Sequence, residues 1–150
     1  MSRAARRTPP LVVFETGVLL RALLLNDAAA QALRQAWQQG RCRALVCPAS
    51  ARALMLALAC PALGLTAGEQ HELLADYLPY ATVPATLPAG LASTAGLDRQ
   101  ALTLARSAGA ALLVADSPGL RSLFARRPST GAAKGSKTLL LGSAEFLAQL

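Results

Sequence analysis

Acidic residues are scarce in this chain: eight Asp and Glu stand against fifteen Lys and Arg, for a net charge of +7. Any carboxylate at the end of a strand is therefore a candidate for chemistry. Histidine is nearly absent, His71 being the only one, and the three cysteines Cys42, Cys47 and Cys60 show no CxxC spacing. Structural zinc needs about four N/S ligands in close array, and a disulfide framework needs an even, denser set, so neither is expected. All three cysteines are expected to be small core residues. Long apolar runs are missing too. The longest uncharged apolar stretch, roughly Ala53 to Leu65, contains Pro61 and is too short to span a bilayer. Arg3, Arg6 and Arg7 before an apolar run resemble the start of a signal peptide, but Glu15 cuts that run short. A cytoplasmic protein with no membrane contact is expected.

What is present argues for a packed globule. Apolar residues make up 53% and charged residues only 15% of the 150, too apolar for a disordered chain. That length suits one domain burying roughly 70% of its unfolded surface. The positive charge is clustered. Arg3, Arg6 and Arg7 in a flexible arm (1–10), with Arg126, Arg127, Lys134 and Lys137 in a Gly/Ser-containing loop, are seven of the fifteen bases, in segments without an acid. The remaining eight bases match the eight acids. Two such segments could contact phosphate backbones, or could simply aid solubility.

The domain proper, 11–150, reads as alternating strands and helices. Leu11–Phe14 is a strand and Gly17–Leu25 a helix. Asn26 or Asp27 caps a helix to Gln39 that presents Ala29, Leu33 and Trp37 on one face. Ala44–Cys47 is a strand, after which Pro48 starts a helix. Thr66 and Glu69 form a capping box for a helix to Leu78. A strand at 80–83 and a Pro/Gly-rich loop lead to a helix from Leu97 or Asp98 to Ala108. A strand at 111–114, a helix at 118–125, a strand at 138–141 and a helix capped by Ser143 complete the order. Alternation without a hairpin signal predicts an α/β fold, a mostly parallel sheet of about five strands covered on both faces.

Three acids fall where such a sheet builds its sites, outside the carboxyl ends of strands. Glu15 follows the first strand, Asp116 follows the fourth, and Asp98 opens the helix between them in sequence. Converging carboxylates there can hold Mg²⁺ or Mn²⁺ and activate water for phosphodiester cleavage. The same residues also suit plainer roles: Asp98 as an N-cap, Asp116 as the cap of the Pro118 helix, Glu15 as an arginine's partner.

In its order of segments the chain resembles the PIN-domain family, the nuclease fold of many bacterial toxin–antitoxin toxins. Phe14-Glu15-Thr16-Gly17-Val18-Leu19 is similar to the family's first motif, an apolar strand followed by acid-Thr-Asn-Val-Leu. Arg34 to Trp37, Val46 to Ala49, Leu65 to Glu69, Leu102 to Ala110, Leu112 to Asp116 and Ser143 to Leu147 echo further segments in the same order. The resemblance implies a PIN-like three-layer α/β/α sandwich and a Mg/Mn-dependent endoribonuclease ancestry. Glu15, Asp98 and Asp116 would then hold the metal, and Thr16 or Ser117 would orient water or phosphate. RNA, a cognate antitoxin and a second copy of the chain are the implied partners.

The family's acidic positions are altered here. Glu15 replaces Asp, Gly17 replaces Asn, the second acid aligns with Ala53, the third with Arg99, and the fourth with Ser117. Asp98 and Asp116 each lie one residue out of register, which on a helix is about 100° of rotation. The site is accordingly expected to be degenerate, weak or inactive, with no metal bound and Glu15 paired to Arg99 or Arg52. A non-catalytic RNA-binding or protein-interaction module is the alternative.

Overall fold

The structure, a computed structural model, describes residues 8–85, 97–125 and 138–150, without the side chains of Asp98 and Ala125. The basic residues Arg3, Arg6, Arg7, Arg126, Arg127, Lys134 and Lys137, and most of the Pro/Gly-rich loop, lie outside the described residues.

Among the described residues five strands form one sheet: β1 (Leu11–Phe14), β2 (Arg43–Leu45), β3 (Ala81–Thr82), β4 (Leu112–Val114) and β5 (Leu139–Leu141). Their order is β3-β2-β1-β4-β5 and every pairing is parallel, with Val12 opposite both Ala44 and Leu112. The sheet is thus wholly parallel. Seven helices among the described residues connect and flank the strands: α1 (Thr16–Leu24), α2 (Ala28–Gln38), α3 (Pro48–Leu58), α4 (Ala67–Ala75), α5 (Leu97–Ala108), α6 (Pro118–Ala125) and α7 (Ser143–Ala148). None is long and apolar enough to cross a membrane among the described residues.

Strand alternation sorts the layers, because successive side chains point to opposite faces. Val12 and Phe14 of β1, with Leu112 and Val114 of β4, pack with residues of α1, α2, α3, α4 and α7. Val13 and Leu113, between them, pack with Leu102, Leu104 and Ala105 of α5 and Leu120 of α6. An α/β/α sandwich results. On the first face Phe14 makes edge contacts with Trp37 and Phe146, at ring centroid distances of 5.6 and 5.5 Å, and Trp37 makes another with Tyr77 at 5.0 Å. Each such pair adds about 0.5–1.5 kcal/mol beyond its buried area.

Several boundaries differ from the sequence reading for identifiable reasons. Asp27, not Asn26, caps α2 by accepting from Ala30 N at 2.8 Å, so the buried stripe is Ala30, Leu33, Ala36 and Trp37 while Ala29 faces water. Cys47 leaves β2 to cap α3, its thiol accepting from Ser50 N while Ser50 Oγ accepts from Cys47 N at 2.9 Å. Helix α4 ends at Ala75 because Trp37 Nε1 takes the Asp76 carbonyl at 2.8 Å and Tyr77 turns into the core. A 3-10 turn at Leu78–Tyr80, around Pro79, replaces its last turn, since the residue before a proline disfavours the α conformation. Cys42 and Cys47 are buried as expected, but Cys60 is exposed beside the 3-10 turn at Pro61–Leu63.

Candidate functional site

Strand order decides where a site can form. From β1 the chain moves outward through β2 to β3, then returns to place β4 on the other side of β1 and continues to β5. Helices leaving β1 and β4 therefore diverge, and the crevice between the carboxyl ends of those strands is where ligands bind in such sheets. Glu15 and Asp116 stand at that crevice. Glu15 N donates to Val114 O at 2.9 Å, continuing the ladder past β1. Asp116 N in turn donates to Glu15 Oε1 at 3.1 Å. The structure brings these two predicted site residues together.

The Asp116 side chain is the centre of a polar clasp. Its Oδ1 accepts from Ser143 N at 2.9 Å, and its Oδ2 accepts from Ser143 Oγ at 2.8 Å and from Arg21 Nη1 at 3.1 Å. Because β5 lies beside β4, the first residue of α7 arrives at this edge, and a carboxylate facing a helix start is favoured by its open N–H groups. Ser143 was expected to cap α7. Gly142 holds that position instead, leaving the Ser143 hydroxyl and N–H for Asp116. Gly142 is buried in a crowded place. A Cβ there would lie 3.1 Å from Arg121 Nη2, 3.2 Å from Asp116 Oδ1 and 3.3 Å from Glu145 Oε1. Arg121 and Glu145 form an open ion pair at 3.8 Å across it.

The remaining predicted residues occupy other places. Ser117 accepts from Leu120 N at 3.3 Å, the capping role for α6 that Asp116 was a candidate for. Thr16 lines a recess of about 20 Å³ with Ser50, Tyr77 and Gln100, beneath the ends of β1 and β2. Burial pushes the Tyr77 hydroxyl well above its usual range, with the neighbouring Cys42 adding to the effect. Asp98 lies in the first turn of α5, but its side chain is outside the described residues. Ala53, where the resemblance would set the second acid, lines a wider groove of about 450 Å³ between α3 and α5, with Arg52, Leu56, Leu97 and Gln100.

Arg52 and Arg99, the expected partners of Glu15, are both exposed. Arg21, on α1, pairs its guanidinium with Asp116. Nothing in the sequence singled out Arg21. The signal it offered was its distance of six residues from Glu15, enough to carry α1 across the crevice towards β4.

Does this donor set fit a divalent ion? Mg²⁺ requires near-octahedral oxygen ligation at about 2.0–2.1 Å. Oδ2 of Asp116 already accepts two hydrogen bonds, one from a cation. Among the described residues, no three His, Cys, Asp or Glu gather in a way that could hold a metal ion. As arranged, the clasp does not fit Mg²⁺ or Mn²⁺.

The class these features define is a doubly wound parallel α/β domain with two acids at its topological switch point. Beyond that class the comparisons add nothing: no protein-family model, no curated protein and no solved structure matches the chain.

Proposed function

We propose that this chain is a PIN-like RNA-directed domain, resembling toxin-type metal-dependent endoribonucleases, whose cleavage site is degenerate. The observation that carries the reading is the contact of Glu15 and Asp116 at the β1/β4 switch point. A phosphodiester hydrolase of this topology would need its carboxylates there. The basic clusters 3–7 and 126–137 supply phosphate contacts in this reading. A cognate antitoxin and a second copy of the chain are its proposed partners in the cytoplasm.

A second reading, a non-catalytic RNA-binding module, is favoured by the engagement of Asp116 with Arg21 and Ser143. One experiment separates the two. Purified protein is incubated with single-stranded RNA and Mn²⁺ beside a Glu15→Ala/Asp116→Ala variant, and binding is followed against salt. Weak cleavage lost in the variant supports the residual nuclease. Binding without cleavage, with a log–log salt slope of up to about −5 if all seven clustered bases engage, supports the module. Absence of both cleavage and salt-dependent binding refutes an RNA-directed role.

A further inference from the structure

We propose that Arg21 is the resident counter-cation of the switch point, and that this one side chain bars Mg²⁺ and Mn²⁺ from Asp116. The inference deepens the reading of the β1/β4 crevice as a former metal site and rests on it, but its test uses no RNA.

Lone pairs are the first argument. Each carboxylate oxygen offers two, and Oδ2 of Asp116 spends both, on Ser143 Oγ at 2.8 Å and Arg21 Nη1 at 3.1 Å. A dication on that oxygen would displace one donor and lie within a few ångströms of the guanidinium. The second argument is exposure. The Arg21 side chain is 63% exposed against 33% for Asp116, so core packing does not fix the guanidinium; its attraction to the acid does. Among the other described charges, Arg121 is paired with Glu145, and Asp27, which lines a small recess together with Arg21, Asp116 and Ser143, caps α2 through Ala30 N.

The third argument concerns what would remain. Without the guanidinium, Oδ2 regains a lone pair while Ser143 N still orients Oδ1. Asp116 N still fixes Glu15 Oε1 beside it. That leaves Asp116 as a strand-end carboxylate with an open oxygen, and a protein commonly lends Mg²⁺ one or two such groups, with water supplying the rest. Arg21 is thus a positioning residue for Asp116 and a barrier to the ion, replacing a separable cation with a tethered one.

The test is Mn²⁺ binding by calorimetry on the full chain, comparing wild type with Arg21→Gln, Arg21→Met, Arg21→Lys and Arg21→Gln/Asp116→Asn. The two neutral replacements should each bind one Mn²⁺ severalfold more tightly than wild type, up to about fivefold, the most that displacing an exposed ion pair can cost an incoming ion. The lysine variant should stay close to wild type, and the double variant should lose the gain. Using two neutral variants keeps the test valid if one folds poorly, as judged by near-UV circular dichroism. Wild type binding Mn²⁺ as tightly as the neutral variants would overturn the proposal. So would a gain that survives Asp116→Asn. A gain in metal affinity without any RNA binding would sink the RNA reading alone and leave this inference standing.

Discussion

Replacing Asp116 with alanine removes three hydrogen bonds that tie the end of β4 to α1 and α7, and their worth can be worked from the geometry. Bonds to a charged acceptor contribute about 1.5–3 kcal/mol each when buried. Asp116 is one-third exposed, however, and Arg21 is nearly two-thirds exposed. The Arg21 arm is therefore worth about 0–1 kcal/mol, as exposed ion pairs are. The Ser143 N–H and hydroxyl regain water once the carboxylate is gone, which discounts their share. A total loss of about 1–2.5 kcal/mol follows for Asp116→Ala, against at most about 1 kcal/mol for Arg21→Ala. For a domain of this size that is a fall in Tm of roughly 3–8 °C for the first and under about 4 °C for the second. Differential scanning calorimetry of wild type, both single variants and the double at one pH and low salt gives the ranking. It also gives a coupling of about 0.2–1 kcal/mol between the two sites. If Asp116→Ala is silent, or Arg21→Ala costs more than Asp116→Ala, the clasp does not hold these elements together and the reasoning fails.

Three further outcomes follow from other parts of the molecule. Cys60 is exposed while Cys42 and Cys47 are buried, so a thiol reagent should modify one cysteine per native chain and three on denaturation; fast native labelling of a second would contradict the burial. Burial pushes the Cys42 thiol up from 9.0 to about 12. The folded state therefore keeps this proton after the unfolded chain has lost it, and stability should fall as pH climbs from about 9 towards 12. Cys42→Ala should flatten that fall in urea titrations, by removing the thiol and also its contribution to the raised Tyr77, and an unchanged slope would refute it. Trp37→Ala removes a ring that contacts both Phe14 and Tyr77 and leaves the Asp76 carbonyl without its indole donor. A loss of about 3–5 kcal/mol is expected from denaturant unfolding, and a loss under about 1 kcal/mol would mean that this aromatic cluster is not the centre of the core.

The sequence made the sheet legible because local signals and burial agree at most elements. Leu11–Phe14 reads as a buried strand from four consecutive strand formers, and the structure keeps those bounds. Thr66 and Glu69 announce their helix through a reciprocal cap, and both bonds are made. Failures occur where a distant residue overrides a local preference. The end of α4 is set by the indole of Trp37, 39 residues away from Asp76. The caps at Cys47 and Gly142 went unread because a thiol and a glycine are weak capping signals, and at Gly142 a close approach of three side chains excludes most alternatives.

The candidate site divides along the same line. That Glu15 and Asp116 would stand at strand ends was written locally, in apolar runs that stop at an acid. That they touch follows from β4 lying beside β1, a pairing of residues about a hundred positions apart that only the packed sheet decides. That Arg21 would be the cation at Asp116 was likewise undecidable from spacing, since Arg52 and Arg99 are exposed helical bases of the same kind. The sequence thus determined that acids would be few and that two of them would follow strands at a rim. The tertiary structure alone determined which base meets which acid, because an ion pair forms between groups that the backbone has already brought within reach.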